Sequence, residues 1–278
     1  MKTAPAALVA VSLMLSACGR EGDGGTAPRA SPGRAEERAA ARVEIVPLET
    51  AQRWMTYQYL SNDPERAPSM VESFVRAGGH TANPEANALG VIGVFLGRVG
   101  AANPAQLDAW TAAAEGLSPE AASVIAYGVW DADPEGAPPR LRRIAGAMDE
   151  RDAAPLLELI GREPPALADM VLTHAGVLDY WWAAFMATGD TAWVDLVMGV
   201  IPPPGMSMEE SGLDNPAQLA IAKAAVWSLA SNGAQHPRVL AHLKDRLAAA
   251  GGDWPTIAEV VRVAEEAAQE NPPALPED

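Results

Sequence analysis

The chain reads as an all-α protein, built of short helix hairpins stacked in a solenoid-like array or an irregular helical bundle. Three observations predict this. Capping residue–proline pairs recur ahead of apolar runs, the runs repeat at helical spacing, and strand-type alternation is scarce outside residues 43–46. Asp63-Pro64, Asn83-Pro84, Asn103-Pro104, Ser118-Pro119 and Asn215-Pro216 each open a helix-like run. A capping side chain satisfies the free amides of a first turn, and proline at the first helical position forfeits no bond there. Leu107, Trp110, Ala114 and Leu117 then fall at i, i+3, i+7 and i+10. Ala121, Val124, Ile125, Gly128 and Val129 repeat the rhythm, as do Trp193, Leu196, Val197 and Val200. It returns in Leu240, Leu243 and Leu247, and in Ile257, Val260, Val261, Ala264 and Ala268. Each set is one stripe of a helix.

Two runs are apolar on nearly every side and are expected at the centre. Residues 89–99 carry Gly90, Gly93 and Gly97 among Val, Ile, Phe and Leu, and residues 217–230 have only Gln218, Lys223 and Ser228 as polar interruptions. A helical glycine costs about 1 kcal/mol relative to alanine, so the first run trades propensity for close approach of a neighbour. The pentapeptide Asn103-Pro104-Ala105-Gln106-Leu107 recurs as Asn215-Pro216-Ala217-Gln218-Leu219 and hints at an internal repeat. The tetratricopeptide spacing of tryptophan, glycine and tyrosine is not met, so the likeness to tetratricopeptide and HEAT arrays is one of architecture.

Residues 166–190 are the most distinctive in chemistry. On one helical face they place Val171, His174, Leu178, Trp181, Trp182 and Phe185; Gly189 suits a left-handed C-terminal cap and Asp190 caps the next helix. The stripe has two readings. His174, Trp181, Trp182 and Phe185 line an aromatic groove able to hold a peptide, a sugar ring or an acyl chain, or they fill a core as the stripe of any buried helix does. Trp227 and Trp254 are read as core.

Catalytic patterns are thin. No zinc-protease helix, phosphate loop, nucleophile elbow or dinucleotide fingerprint occurs, so no catalytic residue, metal ligand or cofactor is assigned. His236 and His242 do not share a helical face. Asp131, Asp133 and Glu135 read as a solvated acidic turn, because the glycine and glutamate of a calcium loop are missing. Met206 and Met208 fall in the proline-rich segment 202–210, read as a mobile loop that folds over a groove in preference to a soft-metal site.

At the other end of the chain, Lys2 precedes an apolar stretch from Ala4 to Leu15, and Leu15-Ser16-Ala17-Cys18 closes it with the only cysteine. This resembles a bacterial lipoprotein signal and its lipobox. The resemblance implies cleavage after residue 17, fatty acylation of Cys18 and a mature chain of 261 residues (278 − 17). Several acyl chains exceed the two signals that stable anchoring needs. Gly19, where aspartate would favour inner-membrane retention, implies an outer membrane and a periplasm-facing domain. Residues 18–47 are expected to be the acylated cysteine and a flexible tether, 48–270 the helical domain, and 271–278 a disordered, proline-rich acidic tail. With Cys18 acylated, no disulfide or thiol nucleophile remains. A net charge of −16 argues against nucleic acid as a partner.

The expected role is a lipid-anchored envelope protein, a non-enzymatic scaffold or module that binds an envelope protein or peptide. The alternatives are an envelope enzyme using carboxylates such as Asp179 and Asp190, or His174, for proton transfer, and a carrier of a hydrophobic ligand beside Trp181, Trp182 and Phe185.

Overall fold

Twelve α-helices and no strand occur among the described residues, which in the computed structural model are 43–78, 88–211 and 215–276. The signal segment, Cys18, Gly19 and the Asn83-Pro84 pair lie outside them. In chain order the helices are α1 (Leu48–Ser61), α2 (Ala67–Arg76), α3 (Ala88–Ala102), α4 (Leu107–Ala114), α5 (Pro119–Ala132) and α6 (Ala137–Ala145). There follow α7 (Glu150–Leu157), α8 (Val177–Thr188), α9 (Ala192–Met198), α10 (Pro216–Gln235), α11 (Pro237–Ala249) and α12 (Pro255–Glu270). Contacts divide the chain into two units. One holds residues 43–52 and 64–163, the other residues 53–63 and 164–276.

In the first unit α3 packs most extensively on α5, its second neighbour in sequence and not its hairpin partner. The glycines make that approach possible: a Cβ on Gly128 would stand 2.5 Å from Leu96 Cβ, and one on Gly97 would run into the Asp131 carboxylate. Phe74, Leu96, Leu107, Trp110, Ile125, Leu141 and Ile144 are fully buried around this pair, each adding about 1.5–3 kcal/mol of transfer free energy.

The proline pairs begin helical turns, but several of their capping side chains bond elsewhere. Asn215 caps as expected, its Oδ1 accepting the Ala217 amide at 2.9 Å, whereas Asn103 and Ser118 make no capping bond. Ser118 instead donates its hydroxyl to buried Glu72 at 2.8 Å, and Asp63 accepts the Trp54 indole N–H at 2.9 Å. Asn103 donates backwards to the Val99 carbonyl at 2.9 Å. At Asn103 and Ser118, proline's fixed φ starts the turn without a side-chain cap.

Three expectations are corrected here. The acidic turn is not solvated as a whole: Asp131 is buried in the last turn of α5 and paired with Arg98, Asp133 holds Arg140 and the Gly136 amide, and only Glu135 faces solvent. Residues 43–47, assigned to the tether, lie on α2, where the Val46 amide donates to Ser73 Oγ at 2.9 Å and the Ser69 hydroxyl to the Glu44 carbonyl. In α9 the buried stripe is Val194, Val197 and Met198, with Trp193 only half-buried.

In the second unit α10 packs chiefly on α12, and α11 contacts both. His236, fully buried at the α10–α11 junction, meets the rings of Tyr57, Tyr59 and Phe185 at 5.3, 5.8 and 5.4 Å between centroids. Tyr57 is also where α1 kinks. Gly189 ends α8 in the left-handed conformation with φ 66°, and Asp190 Oδ1 accepts the Ala192 amide at 2.9 Å to start α9.

Buried tryptophans fasten the irregular connections within each unit. The indoles of Trp110 and Trp130 donate to the carbonyls of Pro64 and Arg162 at 2.9 and 3.1 Å, and those of Trp181 and Trp254 to Leu167 and Pro202 at 2.8 and 2.7 Å. A large apolar body with one donor at its edge suits this task, because it fills the core while satisfying a backbone oxygen no helix can reach.

Candidate functional site

Helix α10 is apolar almost all round, yet only one side of it is covered. Ile221, Ala222, Ala225, Leu229 and Gly233 face the core. Leu219, Lys223, Val226, Trp227 and Ala230, at i, i+4, i+7, i+8 and i+11, instead form the wall of a groove of about 760 Å³, opposite Glu259, Val260 and Val263 of α12. Trp227 is 47 % exposed and Val263 38 %, so this helix is not central on every side and Trp227 is not core. Periodicity shows that a face is apolar; it does not show whether a neighbour covers it. The signal available in sequence was a second apolar stripe on a helix that already had one.

Met208 and Glu209 complete the lining. They sit in the connection before α10, which is fastened at two points to the α11–α12 corner: Trp254 Nε1 to the Pro202 carbonyl, and the Gly205 amide to the Asp253 carbonyl at 2.7 Å. Ser207 then donates its amide and hydroxyl to Glu210 Oε2 at 2.9 and 2.6 Å, bracketing Met208 and Glu209. The proline-rich segment therefore contributes to a groove, with Met208 as apolar lining.

The charges at the rim are unequal in their attachments. Glu259 is held by Arg262 at 2.5 Å, and Arg262 also binds Glu266 at 2.6 Å; hydrogen bonding to the guanidinium keeps the Glu259 carboxyl below its usual range. Lys223 and Glu209 have no ion pair or side-chain hydrogen bond among the described residues, and neither does the Trp227 indole. An exposed aromatic wall beside one unspent cation and one unspent carboxylate offers apolar area and two polar contacts to whatever covers it.

The residues singled out from the sequence do not form one surface. Trp181, Trp182 and Phe185 are buried, at 3 % exposure or less, while His174 is exposed and precedes α8, its Nδ1 accepting the Gly176 amide at 3.1 Å. The helix starts only at Val177, after a short 3-10 turn at Leu167–Asp169, so the face expected to join His174 to the tryptophans does not exist. Val171, on that same expected face, is 78 % exposed.

Asp179 lies in the first turn of α8, whereas Asp190 lies beyond its C-terminal end, where it starts α9. Burial pushes the Asp179 carboxyl up to about 7. His242 Nε2 pairs with Asp195 Oδ1 at 2.9 Å. Among the described residues no group of three or more His, Cys, Asp or Glu is placed to hold a metal, and no single helix is long and apolar enough to cross a membrane. No family model, curated protein or solved structure matches the chain.

Proposed function

We propose that this is a lipid-anchored bacterial envelope protein whose α-helical domain binds a partner protein through the groove between α10 and α12. The observation that carries the binding part is Trp227, an aromatic side chain left half in water on an apolar wall. Exposed aromatics of this kind are what protein interfaces enrich, and they anchor binding when a partner desolvates them. The flanking Lys223 and Glu209 supply the polar rim such an interface needs.

The anchoring part rests on the lipobox Leu15-Ser16-Ala17-Cys18, with Gly19 favouring the outer membrane and a periplasm-facing domain. Acyl chains on Cys18 would hold the domain near the bilayer without crossing it. Labelled palmitate enters the native chain and not Cys18→Ser if this is right; equal labelling of both removes the anchor.

The binding part is tested in the membranes of cells making the full chain. A photoreactive residue at position 227 gives a covalent product with a protein, whereas the same residue at position 171, exposed but not part of this groove, does not. Equal products at both positions, or none at 227, reject the reading.

A further inference from the structure

The rim of the α10/α12 groove carries both charge signs, and this bears on what covers it. Lys223 and Glu209 are each without an ion pair among the described residues, and both line the same apolar furrow. A basic arm would leave Lys223 unanswered, and an acidic peptide would leave Glu209 unanswered and meet Glu259 as well. A rim holding one cation and one carboxylate, neither ion-paired among the described residues, is complementary to itself when a two-fold axis brings each charge onto the other's counterpart, since residue i then meets j and j meets i.

The helices agree with this. Helices α10 and α12 form a packed pair with one apolar flank uncovered. Two such pairs set face to face make a four-helix packing, in which the half-exposed Trp227 and Val263 of both copies leave water together.

The net charge of −16 opposes association at long range. That repulsion is spread over the whole surface and screened within about 8 Å at physiological salt, while the groove contacts act at touching distance. Anchoring two copies in one leaflet would raise their effective concentration further.

We infer that the occupant of the groove is a second copy of this chain, Trp227 and Val263 packing against their counterparts and Lys223 of each copy facing Glu209 of the other. The inference rests on the partner-binding reading above and narrows it to one partner.

The test uses the full chain in its native membranes with the photoreactive residue at position 227. The expected product has twice the mass of the chain. Lys223→Glu alone and Glu209→Lys alone each lower its yield about tenfold, because the two-fold axis repeats every contact twice. The double variant Lys223→Glu with Glu209→Lys restores it. All these positions are at the surface, so the variants fold, and the rescue separates a lost contact from a damaged domain.

A product containing only some other protein overturns self-association and leaves the partner-binding reading standing. No product at all removes both. A self-product that ignores the charge reversals, or that the double variant fails to restore, overturns the pairing inferred here.

Discussion

Arg98 Nη2 stands 2.7 Å from Asp131 Oδ2, and the pair is incomplete on both sides: Arg98 Nε and Asp131 Oδ1 are buried without a hydrogen-bond partner. Burial pushes the Asp131 carboxyl up, and the neighbouring guanidinium only partly offsets it. An ion pair of this kind contributes less to stability than either partner's removal would suggest. Its tightness comes from Gly97, next to Arg98, where any Cβ would strike the carboxylate.

Arg98→Ala should therefore destabilise the first unit by about 3 kcal/mol, the low end of the range for a buried charge left alone, because Arg98 retains some exposure. Arg98→Met combined with Asp131→Leu should recover most of that loss. Urea midpoints of the three proteins decide it, and a double variant no better than Arg98→Ala would show that the pair itself stabilises.

Glu72 is the opposite case, a buried carboxylate whose bonds are filled. Its side chain is 1 % exposed and takes hydrogen bonds from Arg76, from the Ser118 amide at 2.9 Å and from the Ser118 hydroxyl at 2.8 Å, joining α2 to the start of α5. Burial alone would raise its pKa; these bonds outweigh burial and hold it below the usual carboxylate value. A depressed folded-state pKa gives stability that is present above the unfolded value and lost as pH falls through the folded one. Glu72→Gln is expected to lose about 2–3 kcal/mol at neutral pH and much less under acid, where the native glutamate is itself protonated. Unfolding measured near neutrality and at successively lower pH below the usual carboxylate value tests this; a difference that never shrinks would contradict it.

How far the sequence could be read differs by element. The helical class was legible because proline pairs and apolar stripes are local, and Ala121, Val124, Ile125 and Val129 are all buried as their spacing implies. The segment before α8 was not. His174 sits at helical spacing from Leu178 and Trp181, but the chain stays irregular until Val177, with Trp181 donating to Leu167 across the turn. Spacing cannot reveal where a helix starts when no strong cap precedes it. Trp227, expected in the core and exposed in the structure, is a related case: a stripe is equally apolar whether α12 covers it or leaves it open. Ser118, Asp63 and Asn103 have the side chains of caps but bond elsewhere, Asn103 back to Val99 within its own turn, Asp63 to Trp54 nine residues before it and Ser118 to Glu72 forty-six residues away.

Two desolvated titratable groups of the second unit, buried His236 and half-buried Asp179, pull its stability in opposite directions with pH. His236, fully buried, is held down to about 3 by desolvation, so between pH 6.5 and 3 the unfolded chain binds a proton that the folded one refuses. Stability falls as pH drops through that window. Asp179, raised by burial to about 7, keeps a proton that the unfolded chain has already lost above 3.8, so its contribution falls as pH rises from 3.8 to 7. Asp179→Asn should leave stability near pH 4 almost unchanged, gain steadily toward pH 7 and stay level above it. Denaturant titrations at about pH 4, 5.5 and 8 read this directly, and a gain already complete at pH 4 would mean that the carboxyl is not desolvated.

Trp182 and Trp227 are the same residue type in opposite situations, and their substitution separates stability from binding. Trp182 is 1 % exposed, stacks edge-on against Phe185 at 6.0 Å and buries an indole nitrogen with no hydrogen-bond partner. Trp182→Ala should destabilise by about 3–5 kcal/mol through the cavity it leaves, whereas Trp182→Phe is expected to lose far less, since it also removes an unsatisfied donor. Trp227→Ala removes a side chain that is already half in water and should change stability by under about 1 kcal/mol. Thermal or urea unfolding of the three variants fixes that order. Trp227→Ala should nonetheless weaken whatever occupies the groove, because the indole is the largest apolar surface on its wall. A Trp227 variant as unstable as Trp182→Ala would instead assign this side chain to the core.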